Sequence, residues 1–277
     1  MLKKLTIGFS TCPNDTFIFD AIVNKKIDLQ GFDFDFVLRD VEELNKMAFE
    51  GKLDVTKLSY HVFPYIAENY QILNSGSALG FKNGPLVIAK EKPDLTNKNL
   101  KIAIPGKYTT ANLLFSIAFP DLRHKIEMLF SDIEKAILDN ACDAGVIIHE
   151  NRFTFQEKGL LKLLDLGEFW ENSTQLPIPL GGIVIKRQLP EKTKKEFNKI
   201  LSQSVRHAQK YPEGTYEYVK KYAQEMDKEV MFKHINLYVN EFTENLGDLG
   251  KKAIYKLYTF AQEKNIIPKI KHAIFVE

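Results

Sequence analysis

His149 closes the apolar run AGVIIH in DAGVIIHENRFTF. An imidazole has an ordinary pKa near 6.5, so at a strand end it can accept a proton from a substrate carbon or hydroxyl at neutral pH. The plainer alternative is a core histidine with a satisfied ring nitrogen. Glu150, or a backbone carbonyl, could orient the ring. Lys57 and Ser59 in TKLSY, and Thr109 and Thr110 in PGKYTT, hold similar places after short apolar runs. Hydroxyls and free N–H groups at a helix start hold substrate oxygens, although such threonines can equally serve as caps alone. A lysine in a strand usually reaches solvent, and a serine near a turn usually bonds backbone. Arg152 offers a bidentate partner for a carboxylate, or simply a surface charge.

Several other chemistries are excluded. PGKYTT ends like a phosphate-binding loop, but Lys101 stands where that pattern needs glycine and Tyr108 where it needs Ser or Thr. No GxGxxG follows a strand, no His/Glu cluster has zinc spacing and no GxSxG elbow occurs, so the residues call for no metal or organic cofactor. Cys12 and Cys142 match no metal spacing and form no disulfide framework, which points to a reducing compartment.

The elements that must position these side chains occur twice. KLTIGFS is a short strand followed by the loop TCPND and the helix TFIFDAIVNKK, with Thr11 or Asn14 as its cap; NLKIAIPGKYTTANLLFSIAF repeats that plan. The segments from Asp40 and from Asp132 each give a helix, a turn, an aspartate and a short strand, and setting Asp54 on Asp143 places Tyr60 on His149. GPLVIAKEKPDL and GGIVIKRQLPEK form a third pair. Strands alternating with helices imply parallel sheets covered on both faces, with ligands beyond the carboxyl ends of the strands. That rule puts Lys57–Tyr60, Thr109–Thr110 and His149 on the ligand side. The expected architecture is α/β and two-lobed, with two mixed sheets flanked by helices and a cleft between them. Lobe 1 spans 1–90 and 186–277, lobe 2 spans 91–185, and crossover strands lie near 85–90 and 181–187. From about Lys186 onward apolar spacings of three and four predict helices that return to lobe 1.

A chain of 277 residues accommodates one large domain or two modest ones. The formal net charge is +2, and lysines interleave with acids as in KKEFNKI, so nothing electrostatic points to nucleic acid. MLKKLTIGFSTC looks like a lipoprotein signal, yet its apolar part LTIGF is shorter than an h-region of roughly 7–15 residues. It reads as a strand, the protein as cytoplasmic, and no run approaches the roughly 20 residues of a membrane span.

GFSTCPNDTFIFDAIV, DVEELNKMAFEGKLDVTKLSYH, PGKYTTA, GVIIHENRFTF and LPIPLGGIVIKRQL together resemble the 1,4-dihydroxy-6-naphthoate synthase family of the futalosine route to menaquinone. The resemblance runs from Ile7 to about Phe242 and implies the fold of type II periplasmic binding proteins. It further implies a carbon–carbon lyase that breaks cyclic dehypoxanthinylfutalosine, a small-molecule carboxylate, into 1,4-dihydroxy-6-naphthoate and dihydroxyacetone without cofactor. By the same resemblance His149 is the proton acceptor, and Lys57, Leu58, Ser59, Thr109 and Thr110 contact the substrate. Chorismate dehydratase shares the fold, but TKLS and IIHE argue against it. A solute-binding protein would be exported and show no turnover, and no helix-turn-helix precedes the first strand to suggest a transcriptional effector domain.

Overall fold

The repeated pattern builds two sheets of matching strand order in a computed structural model of the chain, which describes residues 3–149, 151–223 and 227–277. The first sheet contains β1 (Lys3–Phe9), β2 (Phe32–Leu38), β3 (Val55–Ser59), β4 (Tyr70–Ile72) and β5 (Ala78–Gly80). The second contains β6 (Leu86–Ala89), β7 (Ile102–Ile104), β8 (Lys125–Glu127), β9 (Ala144–Ile147) and β10 (Leu161–Asp165), after which β11 (Ile178–Lys186) rejoins the first. The orders are β2-β1-β3-β11-β4, with β5 also paired to β11, and β8-β7-β9-β6-β10. In each sheet three parallel strands are followed by an antiparallel strand that arrives after the other sheet's elements.

The register of the two halves agrees in detail. Ile7 faces Val55 in one sheet and Ile102 faces Ala144 in the other. One residue earlier, the Asp54 carboxylate accepts the Thr6 N–H at 2.9 Å and the Asp143 carboxylate accepts the Lys101 N–H at 2.7 Å. The two aspartates therefore do the same work, each tying the start of a central strand to its parallel neighbour.

The segments near 85–90 and 181–187 lie inside the sheets as β6 and β11. The chain changes sheet just before each of them, over residues 81–85 and 175–177. Boundaries at 90 and 185 thus fall one strand late, with β6 belonging beside 91–165 and β11 beside 1–80. An apolar run buried on both faces identifies a strand, but carries no mark of the sheet it will join.

The C-terminal helices also divide. Glu191–Lys210 packs on the helix Pro13–Val23 beside the first sheet, as expected. Gly247–Glu263 packs on β11 and on the helix Thr110–Ala118, and its Phe260 meets Trp170 edge-on at 5.8 Å, so it does not simply return to the first half. Its buried stripe of Ala253, Ile254, Leu257, Tyr258 and Ala261 joins a continuous apolar cluster holding Leu58 and Tyr60 from one half and Val87 and Ile102 from the other. No helix among the described residues is long and apolar enough to cross a membrane.

Candidate active site

The loops leaving β1, β3, β7 and β9 at their carboxyl ends converge on one cavity between the sheets. It holds about 660 Å³ free of protein atoms, open solvent at its mouth included. Lys57, Leu58, Ser59, Thr109, Thr110 and His149 all line it. Val41, Pro85, Ile148 and Leu180 supply much of its apolar wall.

His149 follows β9 and is half-buried, with backbone in the left-handed region at φ 57°. The Sγ of Cys12 lies 3.6 Å from both ring nitrogens, and Phe130 meets the ring edge-on at 4.8 Å. Glu150, considered as its orienting partner, lies outside the described residues.

Lys57 does not reach solvent. Its ammonium is buried and donates to Asp15 Oδ1 at 2.6 Å, while the Ser10 hydroxyl donates to Asp15 Oδ2 at 2.7 Å. Asp15 stands in the first turn of Pro13–Val23, where an anion is favoured by the helix dipole. That helix is capped differently from expectation. Cys12 is the N-cap without a side-chain cap bond, and Pro13, whose φ is preset and which lacks an N–H, starts the helix. Asn14 is thereby released to turn inward.

Ser59 accepts from Asn45 Nδ2 at 3.3 Å, which leaves its own O–H to donate. Thr109 caps the helix Thr110–Ala118, accepting from the Asn112 N–H at 3.2 Å and donating to Gly106 O at 2.8 Å. Thr110 donates to Leu180 O of β11 at 2.5 Å and so ties the start of that helix to the first sheet. His61 lies beneath, its ring against Thr109 O at 3.2 Å, and burial pushes its pKa down to about 4. These differences predict separable effects. Thr109→Val removes a cap and costs about 0.5–2 kcal/mol of stability in a thermal melt. Ser59→Ala takes an acceptor from the buried Asn45 amide, so it costs about 1–3 kcal/mol of stability in the melt and, unlike Thr109→Val, also weakens ligand affinity by about 0.5–1.5 kcal/mol in calorimetry. An unaltered melt for Thr109→Val would contradict its capping role.

Arg152 does not line the cavity. Its guanidinium donates to Gly84 O at 2.8 Å and lies 3.6 Å from the Asp165 carboxylate, so it fastens the segment after His149 to the linker between the sheets. Sequence reasoning missed Ser10, Asn14, Asp15, Asn83 and Tyr238 among the lining residues. The first three follow β1 as PGKYTT follows β7, so the repeat itself carried their signal. Asn83 is fully buried, and its Oδ1 has no partner among the described residues, leaving an acceptor at the cavity wall. Tyr238 comes from a distant helix and had no local signal. No group of three or more His, Cys, Asp or Glu among the described residues is placed to hold a metal ion, and Cys12 and Cys142 are not joined in a disulfide.

A family model described as menaquinone biosynthesis matches residues 5–263, which takes in every one of these lining residues. The chain belongs to the menaquinone biosynthesis family. Family relatives at high coverage include the 1,4-dihydroxy-6-naphthoate synthase of Streptomyces coelicolor, 41% identical over 96% of this chain and 95% of that one. The synthase of Thermus thermophilus is 38% identical over 99% and 100%. Among solved structures, a protein of Archaeoglobus fulgidus is 35% identical, with a TM-score of 0.90 over 95% of this chain and 98% of that one. The alkanesulfonate-binding protein of Xanthomonas axonopodis pv. citri is only 12% identical but superposes with a TM-score of 0.70 over 96% and 94%. That likeness establishes the expected periplasmic-binding-protein fold, and says nothing of chemistry.

Proposed function

We propose that this member of the menaquinone biosynthesis family is a carbon–carbon lyase that converts cyclic dehypoxanthinylfutalosine to 1,4-dihydroxy-6-naphthoate and dihydroxyacetone. The observation that carries the reading is the gathering of His149, Lys57, Leu58, Ser59, Thr109 and Thr110 around one apolar-walled cavity. They come from both sheets and from loops far apart in the chain. The Streptomyces and Thermus relatives, both 1,4-dihydroxy-6-naphthoate synthases, support the same conclusion.

In this reading the substrate lies between the sheets with its carboxylate at the start of the helix Thr110–Ala118, where the first-turn N–H groups lack intrahelical acceptors. The Ser59 hydroxyl donates to a substrate oxygen, and the Asn83 carbonyl accepts from a substrate hydroxyl. The Lys57 ammonium, balanced by Asp15, adds a local dipole rather than a full charge. His149 takes the proton whose loss starts cleavage, and formation of the aromatic ring drives the reaction forward. Apolar walls exclude water from the reacting atoms, and the bound geometry replaces a cofactor with positioning. In this reading the protein works in the cytoplasm.

Purified protein incubated with cyclic dehypoxanthinylfutalosine is expected to release the naphthoate, detected by mass spectrometry, at a rate unchanged by dialysis against a chelator. Chorismate, offered in parallel, is expected to remain intact. Substrate loss without naphthoate, or restoration of a chelated enzyme by zinc or magnesium, would remove this reading.

A further inference from the structure

Lys57 and His149 are joined by a chain of buried groups that no sequence spacing connects. Asp15 Oδ1 accepts from Lys57 Nζ at 2.6 Å and from Asn14 Nδ2 at 2.9 Å. Asn14 Oδ1 in turn lies 2.9 Å from Nε2 of His234, on the helix Lys228–Tyr238. Asp15 is 1% exposed, Asn14 8% and His234 0%. A carboxylate only accepts, so the amide must turn its NH₂ to Asp15 and its oxygen to His234. The His234 ring is therefore held in one tautomer, with the proton on Nε2. That ring lies 5.9 Å from the His149 ring at an interplanar angle of 30°.

We propose that His234 is a positioning residue for the proton acceptor: a neutral ring, locked by Asn14, that supports His149 as it becomes an imidazolium. The inference rests on His149 being the base of the proposed reaction. An aromatic face within about 6 Å of a cation stabilises it, whereas a second charged imidazole there would oppose it. Burial holds His234 well below the usual imidazole pKa, and the nearby positive charges of His149, Lys57 and Arg152 act in the same direction. Among the described residues the other charges facing this pair are balanced: Lys57 by Asp15, and Arg152 by Asp165. Cys12 and Phe130 contact the His149 ring, and Tyr238 packs against His234 at 4.7 Å. A histidine with no exposure and a dedicated amide partner costs more to bury than a leucine on the same apolar stripe of Met231 and Ile235.

The test is turnover of cyclic dehypoxanthinylfutalosine across pH by wild type, His234→Gln and His234→Phe, with kcat and KM separated and melting measured on the same samples. Gln keeps a donor for Asn14 without the ring, and Phe keeps a ring without the donor. In folded His234→Gln, kcat is expected to fall about two- to tenfold with KM nearly unchanged, and the acid limb of kcat/KM to move about half a pH unit lower. His234→Phe is expected to leave the acid limb in place. An unchanged kcat and acid limb in folded His234→Gln overturns the inference. Should that variant not fold, imidazole ¹⁵N spectra of the wild type decide, because His234 is expected to stay neutral and Nε2-protonated from about pH 5 to 8. Titration of His234 in that range overturns the inference as well. Absence of naphthoate from the wild-type control would overturn the proposed function together with it, whereas wild-type turnover with an unaffected Gln variant overturns only the role of His234.

Discussion

His149→Asn is expected to lower turnover of cyclic dehypoxanthinylfutalosine by about 10²–10⁴-fold, the usual contribution of general acid–base assistance, while ligand affinity changes far less. Asparagine is the informative choice because the backbone at His149 is left-handed, at φ 57°, a conformation that asparagine tolerates better than most residues. An alanine there would mix backbone strain with loss of the base. The ring contacts with Phe130 and Cys12 are lost in either variant, at a cost of about 0.5–1.5 kcal/mol for an aromatic pair, so the melting temperature should fall only slightly. Because His149 is half-buried and not in the core, no polar group is stranded by the change. Near-normal turnover would end the assignment of His149 as proton acceptor.

Asp15→Ala is expected to cost about 3–5 kcal/mol of stability, the range for removing one partner of a buried ion pair. Asp15 is nearly inaccessible and serves Lys57, Ser10 and Asn14 at once, so its loss strands a buried ammonium together with a hydroxyl and an amide. A thermal melt should show this as a fall of roughly 6–20 °C. The double variant Asp15→Leu/Lys57→Met removes both charges, and should recover the part of the loss that comes from the stranded ammonium, while Ser10 and Asn14 still lack their acceptor. Its ligand affinity should remain low, since the polar floor of the cavity has gone. A single variant that melts like wild type would show that the ion pair contributes nothing to stability. A double variant that binds normally would show that Lys57 serves the fold rather than the ligand.

Much of this protein is written in short windows of sequence. The strand–loop–helix repeat, the match of Asp54 with Asp143 and the placing of Lys57, Ser59, Thr109, Thr110 and His149 at strand ends follow from local rules. Hydrophobic period sets the element, Pro, Gly and Asp mark its ends, and parallel strands put their ligands at carboxyl ends. Those rules act over a few residues, so the sequence displays them directly. The motifs of the family were legible for the same reason.

Tertiary structure alone decided what each of those residues touches. That Lys57 is neutralised by Asp15, that Arg152 donates to Gly84, and that Thr110 spans to Leu180 are pairings across 42, 68 and 70 residues. His234 reaches Asn14 across 220 residues. Nothing in a window of sequence selects such partners, because a buried polar group must find whichever complementary group the packing brings near, or bear the cost of desolvation alone. The exchange of β6 and β11 between the sheets has the same origin. An apolar strand satisfies its backbone equally well beside either neighbour, and only the closing of both sheets around a shared apolar cluster determines which one it joins.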